Sequence, residues 1–234
     1  MRLQNKVAIV TGASLGIGSA IANRFGREGA KVAVNYLKSE NSANDVVKGI
    51  TSAGGTAKSF KADVSKVAEI ERLTQEVLRE WGNVDILVNN AGINVTIRSM
   101  EEVSPEDWDH LMTVNATGSF NTIKAVLPGM KERGDGVIIS ISSVAGCRPS
   151  PLAGVGYTAS KHAMTALTRT VSEELIGTGI RVTVISPGEI NTPILDMRPV
   201  KVSDEQKAKI LQPEDIAAAI LFVATLPPRA HIPE

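Results

Sequence analysis

Short apolar runs recur along the chain, separated by longer segments of mixed polarity. The runs are Val7–Val10, Val32–Val34, Ala57–Ala62, Ile86–Val88, Val137–Ile141 and Val182–Ile185. Most are apolar nearly throughout rather than alternating, the pattern of strands covered on both faces of a parallel sheet. Between them, Ile17–Glu28, Glu40–Ala53, Lys66–Trp81, Pro105–Lys131 and Tyr157–Gly177 are long enough for crossover helices. The alternation predicts an α/β fold, a doubly wound parallel sheet with helices on both faces and right-handed crossovers. No repeat, low-complexity tract or linker interrupts residues 1–234, so a single domain is expected.

Helix starts are marked by local chemistry. Ser104-Pro105-Glu106-Asp107 combines a cap, a proline at the first helical position and acids in the first turn. Gln212-Pro213-Glu214-Asp215 repeats that pattern before Ile216–Thr225. Residues 189–211, between a strand and this last helix, carry prolines and scattered charges. An excursion of that length predicts a substrate loop or lid.

Composition narrows the function classes. Lysine plus arginine number 25, as do aspartate plus glutamate, so net charge gives no pull toward nucleic acid or an anionic membrane. The single cysteine, Cys147, excludes an intrachain disulfide and a zinc site of several thiolates, and fits a reducing compartment. With no histidine beside it in sequence, Cys147 reads as a small pocket-side or buried residue rather than a nucleophile. His110, His162 and His231 show no metal-ligand spacing, and no metal is expected. Met1–Lys6 lacks the features of a signal peptide, and Ala217–Thr225 falls short of a membrane span. A soluble cytoplasmic protein is expected.

The first strand runs into Thr11-Gly12-Ala13-Ser14-Leu15-Gly16-Ile17-Gly18, and a helix follows. Glycines so spaced permit a tight turn, close approach of a pyrophosphate to backbone N–H groups, and close helix–sheet packing. The blander alternative is a glycine-rich turn with no ligand; a P-loop is excluded because no Gly-Lys-Ser/Thr ends the motif. The second strand ends in Asn35-Tyr36-Leu37-Lys38-Ser39. No carboxylate stands there to bind a 2′-hydroxyl, while Lys38 and Ser39 suit a 2′-phosphate, which favours NADP over NAD. Lys38 is equally readable as a solvated surface lysine.

Tyr157 and Lys161 lie four apart and project from one helix face. A nearby ammonium favours the phenolate, making a tyrosine useful as a general acid/base. Ser142-Ser143 ends the fifth strand, where ligands gather in open α/β sheets, and a serine there suits a carbonyl oxygen. The alternative is that both serines only cap or turn the chain.

Taken in order, Thr11–Gly18, Asn89-Asn90-Ala91-Gly92, Asn115, Ser143, Tyr157-x-x-x-Lys161 and Pro187-Gly188 resemble the motifs of the short-chain dehydrogenase/reductase family over essentially the whole chain. The resemblance, which includes 3-oxoacyl-acyl-carrier-protein reductases, implies a Rossmann sheet and a nicotinamide cofactor. It implies that Tyr157 exchanges a proton with the substrate oxygen, and that Lys161 binds the nicotinamide ribose and lowers the tyrosine pKa. Ser143, rather than Ser142, would orient the substrate oxygen, and Asn115 would hold a water that relays protons to Lys161. Of the glycine loop, Gly12, Ser14, Leu15, Gly16, Ile17 and Gly18 would meet the pyrophosphate side. Asn35, Tyr36, Lys38 and Ser39 would meet the adenosine ribose, and Asp63 and Val64 the adenine. Asn89, Ala91 and Gly92 would support the adenosine side, and Pro187, Gly188, Ile190 and Thr192 the nicotinamide carboxamide. Plainer readings remain for Asn89 and Asn90 as a turn and for Asp63 as a helix cap.

The chain departs from the family at two points. Leu15 stands where many NADP-using members have a basic residue, and no seventh strand is evident after Leu226-Pro227-Pro228. The family's helix pairing implies a homotetramer through Pro105–Lys131 and Tyr157–Gly177, or a dimer without the last strand. The leading expectation is hydride transfer between NADP(H) and a small-molecule carbonyl/alcohol pair. The alternatives are an NAD-dependent alcohol or sugar dehydrogenase, a non-catalytic dinucleotide sensor, and a methyltransferase, which would not need the Tyr–Lys pair. Val155, Ile194, Leu195 and Met197 read as a partly apolar pocket or as core; Pro193–Gln212 holds no clear arginine cluster for a phosphopantetheine chain, although Arg198 and Lys201 could contribute to one.

Overall fold

A computed structural model describes residues 1–234. Six strands form one sheet: β1 (Val7–Val10), β2 (Lys31–Tyr36), β3 (Thr56–Lys61), β4 (Ile86–Asn89), β5 (Gly136–Ile141) and β6 (Ile180–Ile185). Their order is β3-β2-β1-β4-β5-β6, and every pairing is parallel. The chain therefore winds outward in both directions from β1 and β4. The carboxyl ends of those two strands define the switch point where ligands bind in such sheets.

The helices are α1 (Gly16–Arg27), α2 (Glu40–Ser52), α3 (Val67–Trp81), α4 (Pro105–Met112), α5 (Gly118–Arg133), α6 (Val155–Glu174), α7 (Asp204–Lys209) and α8 (Pro213–Ala224). Two cores form because side chains alternate across the sheet. Ala8 and Val10 of β1 join a cluster of 26 buried residues with α1, α2 and α8. Val7 and Ile9 join a second cluster of 18 with α3, α5 and the C-terminal part of α6. Burial on both faces is what makes the central runs continuously apolar. Strand β3 differs: Thr56, Lys58 and Lys61 are exposed, as suits an edge strand that must not recruit another chain.

Ser104 caps α4 by accepting from the Asp107 N–H at 3.0 Å. The segment expected as one helix over Pro105–Lys131 is two, joined by a π-helical turn at Thr113–Thr117 that contains Asn115. Such turns are frequent at functional sites because they re-aim one side chain.

The excursion at 189–211 is closed at its base. Ile190 bridges Leu211, and the Asn191 N–H donates to Leu211 O at 2.9 Å. A 3-10 turn over Pro193–Met197 and the short helix α7 fill it. No seventh strand forms. Instead the last residues run beside β6, where the Val184 N–H donates to Pro233 O at 2.9 Å. No helix is long and apolar enough to cross a membrane.

Candidate active site

The glycine loop is shaped by backbone demands. Gly12 has φ 60°, a left-handed conformation that other residues adopt only with strain. Gly18 has no such need, but a Cβ there would lie 2.4 Å from Gly12 O and 2.5 Å from the Asn90 side-chain nitrogen. Helix α1 can approach the loop this closely only without a side chain. Leu15 at its N-cap gives no side-chain hydrogen bond and the first turn has no acid, so the first N–H groups are left for a ligand.

Three side chains hold the loop from beneath. Thr11 Oγ1 donates to Val88 O at 3.3 Å and accepts from the N–H groups of Asn90 and Ala91, both at 3.0 Å. Asn90 donates from Nδ2 to Thr11 O at 2.8 Å and Gly12 O at 3.0 Å. Asn35 accepts from the Gly12 N–H at 3.2 Å and donates to Ala62 O at 3.0 Å and Phe60 O at 3.3 Å.

Above the loop lies a cleft of about 840 Å³ that runs along the carboxyl edge of the sheet. Most of the residues singled out from sequence line it: Gly12, Ser14, Leu15, Gly16, Ile17, Asn35, Tyr36, Lys38, Ser39, Asp63, Val64, Ala91, Gly92, Ser143, Tyr157, Lys161, Pro187, Gly188, Ile190 and Thr192. Gly18, Asn89 and Asn115 do not. Gly18 is buried under the loop. Asn89, the last residue of β4, points to α5 and accepts from Thr122 Oγ1 at 2.5 Å, while Asn90, the next residue, reaches the glycine loop. Asn35, though at the cleft wall, has its amide engaged by main chain, so it organises the loop rather than offering a free ligand group. Asp63 likewise accepts from the Ser65 N–H at 2.9 Å.

The two serines that follow β5 have different partners. Ser142 is buried, shares a hydrogen bond of 2.7 Å with Thr165 Oγ1 and donates to Lys161 O at 3.2 Å. Ser143 faces the cleft, and its oxygen accepts from the Ala145 N–H at 3.1 Å, which leaves its own proton free to donate. Asn115 is fully buried. Its amide exchanges hydrogen bonds with the Ile93 main chain at 2.8 and 3.0 Å and donates to Ser160 Oγ at 2.9 Å. Ser160 in turn donates to Tyr157 O at 2.8 Å. The amide thus ties the loop after β4 to the first turn of α6.

Lys161 is 3% exposed, and its Nζ donates to Ile141 O at 2.8 Å and lies 5.7 Å from the Tyr157 ring centroid. Burial pulls its pKa down to about 8. Burial also pushes Tyr157 up to about 12, with only the Ser143 hydrogen bond acting in the opposite direction. Desolvation of the phenol is the larger of these two influences on Tyr157.

Sequence reasoning overlooked Arg98, which lines the same cleft. It sits in a loop without periodicity, and no local motif marks it.

A glycine loop beneath the uncapped start of α1, at the switch point, opens into the same cleft as Ser143, Tyr157 and the buried Lys161, an arrangement that suits a dinucleotide-binding oxidoreductase. Comparison with known proteins gives the family. The short chain dehydrogenase family matches residues 6–201, and the chain belongs to that family of oxidoreductases. It is 35% identical over 233 residues to a 3-oxoacyl-acyl-carrier-protein reductase of Thermotoga maritima, covering 96% of this chain and 92% of that protein. It is 39% identical over 230 residues to glucose 1-dehydrogenase 2 of Bacillus subtilis, covering 95% and 89%. Among solved structures, a metagenomic short-chain oxidoreductase in complex with NADP superposes with TM-score 0.86 at 33% identity, covering 99% of this chain and 96% of the other.

Proposed function

We propose that this protein reduces a carbonyl group, or oxidises the corresponding alcohol, with NADP(H), and that Tyr157 carries the proton. The observation that carries this reading is the convergence of Ser143, Tyr157 and Lys161 in the cleft that begins at the glycine loop. The residues present suit the dinucleotide: the uncapped start of α1 faces phosphate, and Lys38 and Ser39 line the ribose end. The solved relative holding NADP supports the choice. When bound, the cofactor supplies or accepts the hydride.

The chain's own residues do the rest. The Ser143 hydroxyl donates to the substrate oxygen and stabilises charge developing there. The Tyr157 hydroxyl, protonated at neutral pH by its raised pKa, gives its proton to that oxygen as the carbonyl carbon is reduced. Lys161, with a pKa near neutrality, replenishes the proton, and Asn115 fixes the helix turn from which both act. Gly12, Ser14, Leu15, Gly16 and Ile17 cradle the pyrophosphate; Pro187, Gly188, Ile190 and Thr192 flank the nicotinamide. Two exposed aromatic residues, Trp108 on α4 and Phe120 on α5, support a homo-oligomer formed through these helices.

Titration of NADPH and NADH into the purified protein and Lys38→Ala tests the cofactor assignment. Preference for NADPH that falls by about tenfold in the variant, with NADH unaffected, is expected. Equal or stronger NADH binding overturns the choice of NADP, and binding of neither overturns the whole reading.

A further inference from the structure

Two arginines line the cleft wall built by the 189–211 excursion and the loops after β4 and β5. Arg98 is 9% exposed and forms no ion pair. Its guanidinium donates to three main-chain carbonyls: Thr96 O at 3.4 Å, Leu152 O at 3.2 Å, and Met197 O. Its own carbonyl accepts from the Val155 N–H at 3.1 Å, at the start of the helix that carries Tyr157. Arg98 therefore joins three walls of the cleft.

Joining walls needs donors, not charge. A neutral amide would serve carbonyls without the cost of desolvating a cation. Here the charge is retained despite burial and despite a like charge beside it, since burial and Arg198 both pull the Arg98 pKa down. Arg198 is paired with Glu189 at 3.0 Å, and that carboxylate is itself about half exposed on the cleft rim, at 46%. Two cations thus face one anion. Of the five guanidinium N–H groups of Arg98, three are committed to carbonyls, leaving two.

We propose that Arg98 and Arg198 form an anion subsite, so that the substrate of this enzyme is a carbonyl compound bearing a carboxylate. The incoming carboxylate binds the free N–H groups of Arg98 and takes the place of Glu189 on Arg198. Leu152 and Ile194, on the same cleft, offer apolar contact to a short aliphatic spacer. The inference rests on the carbonyl-reductase reading above for the chemistry, but its charge argument stands on the arginines alone.

Calorimetric titration of acetoacetate against methyl acetoacetate, and of levulinate against methyl levulinate, tests it, with and without saturating NADP⁺. In at least one pair the acid is expected to bind about tenfold more tightly than its ester. Arg198→Gln, which removes one cation without touching the carbonyls held by Arg98, should bring that ratio near one. Glu189→Gln should tighten the acid alone. Equal binding of acid and ester, no acid binding, or a preference unchanged in both variants overturns the subsite and leaves the arginines as wall braces. Failure of NADP⁺ to bind would instead count against the reductase reading, because the titration without cofactor still decides the subsite.

Discussion

Replacing Lys161 with methionine should remove activity and yet relieve a pH-dependent cost to stability. The ammonium is buried, makes one hydrogen bond to a carbonyl and has no carboxylate partner, and its pKa falls from 10.5 to about 8. A pKa depressed in the folded state means that the unfolded chain binds the proton more tightly. Stability is therefore highest above the unfolded value of 10.5 and declines as pH falls through the window down to about 8. Below that window the full cost remains, on the order of 3 kcal/mol from the size of the shift. Methionine has no proton to bind, so Lys161→Met lacks this dependence. The stability of the variant relative to wild type should therefore improve by about 2–3 kcal/mol between pH 10 and pH 7. Urea midpoints for both ligand-free proteins at the two pH values measure it. Groups that titrate in both proteins cancel, and the loss of the bond to Ile141 O shifts both pH values alike. Parallel pH profiles would refute the reasoning, because the lysine would then be solvated or paired.

Tyr157→Phe removes the proton donor while keeping the ring in place, and turnover should fall by at least about 10²-fold with NADPH affinity unchanged, read by steady-state kinetics beside a binding titration. Unchanged turnover would assign the proton to another group. Gly18→Ala places a methyl 2.4 Å from Gly12 O, so α1 must move off the loop, at a cost of about 1–3 kcal/mol and with loss of dinucleotide binding. Thermal melts with and without NADPH report both effects, and a variant that melts and binds like wild type would show that the contact is not rigid.

The parallel sheet was legible because burial on both faces writes a continuous apolar run, and the runs at β1, β4, β5 and β6 show it. Edge strand β3 was legible only as a segment, since its lysines face solvent. The glycine loop was equally readable, as Gly12 answers a local backbone demand. Tyr157 and Lys161 sit on one turn of helix, and their spacing alone places them together. Their environment was not readable in the same way. Burial around α6 comes from segments distant in sequence, and it raises the tyrosine pKa.

Sequence by itself determined the order of elements, the loop geometry at Gly12 and the pairing of Tyr157 with Lys161, because each depends on neighbours within a turn or a strand. Tertiary structure decided what the side chain of each residue in an adjacent pair is bonded to. The Ser143 hydroxyl is left free to donate into the cleft while the Ser142 hydroxyl is tied to α6, and Asn90 reaches the loop while Asn89 points to α5. Ser142, Ser143 and Asn90 lie just past the ends of β5 and β4, where strand alternation no longer fixes direction and the elements packed alongside set it. Tertiary structure also consumed the Asn35 amide in bonds to residues 23 to 27 positions away and brought Arg98 to Met197, 99 positions distant. Such bonds form only when the sheet has brought remote loops to one edge, and no local pattern in the chain encodes them.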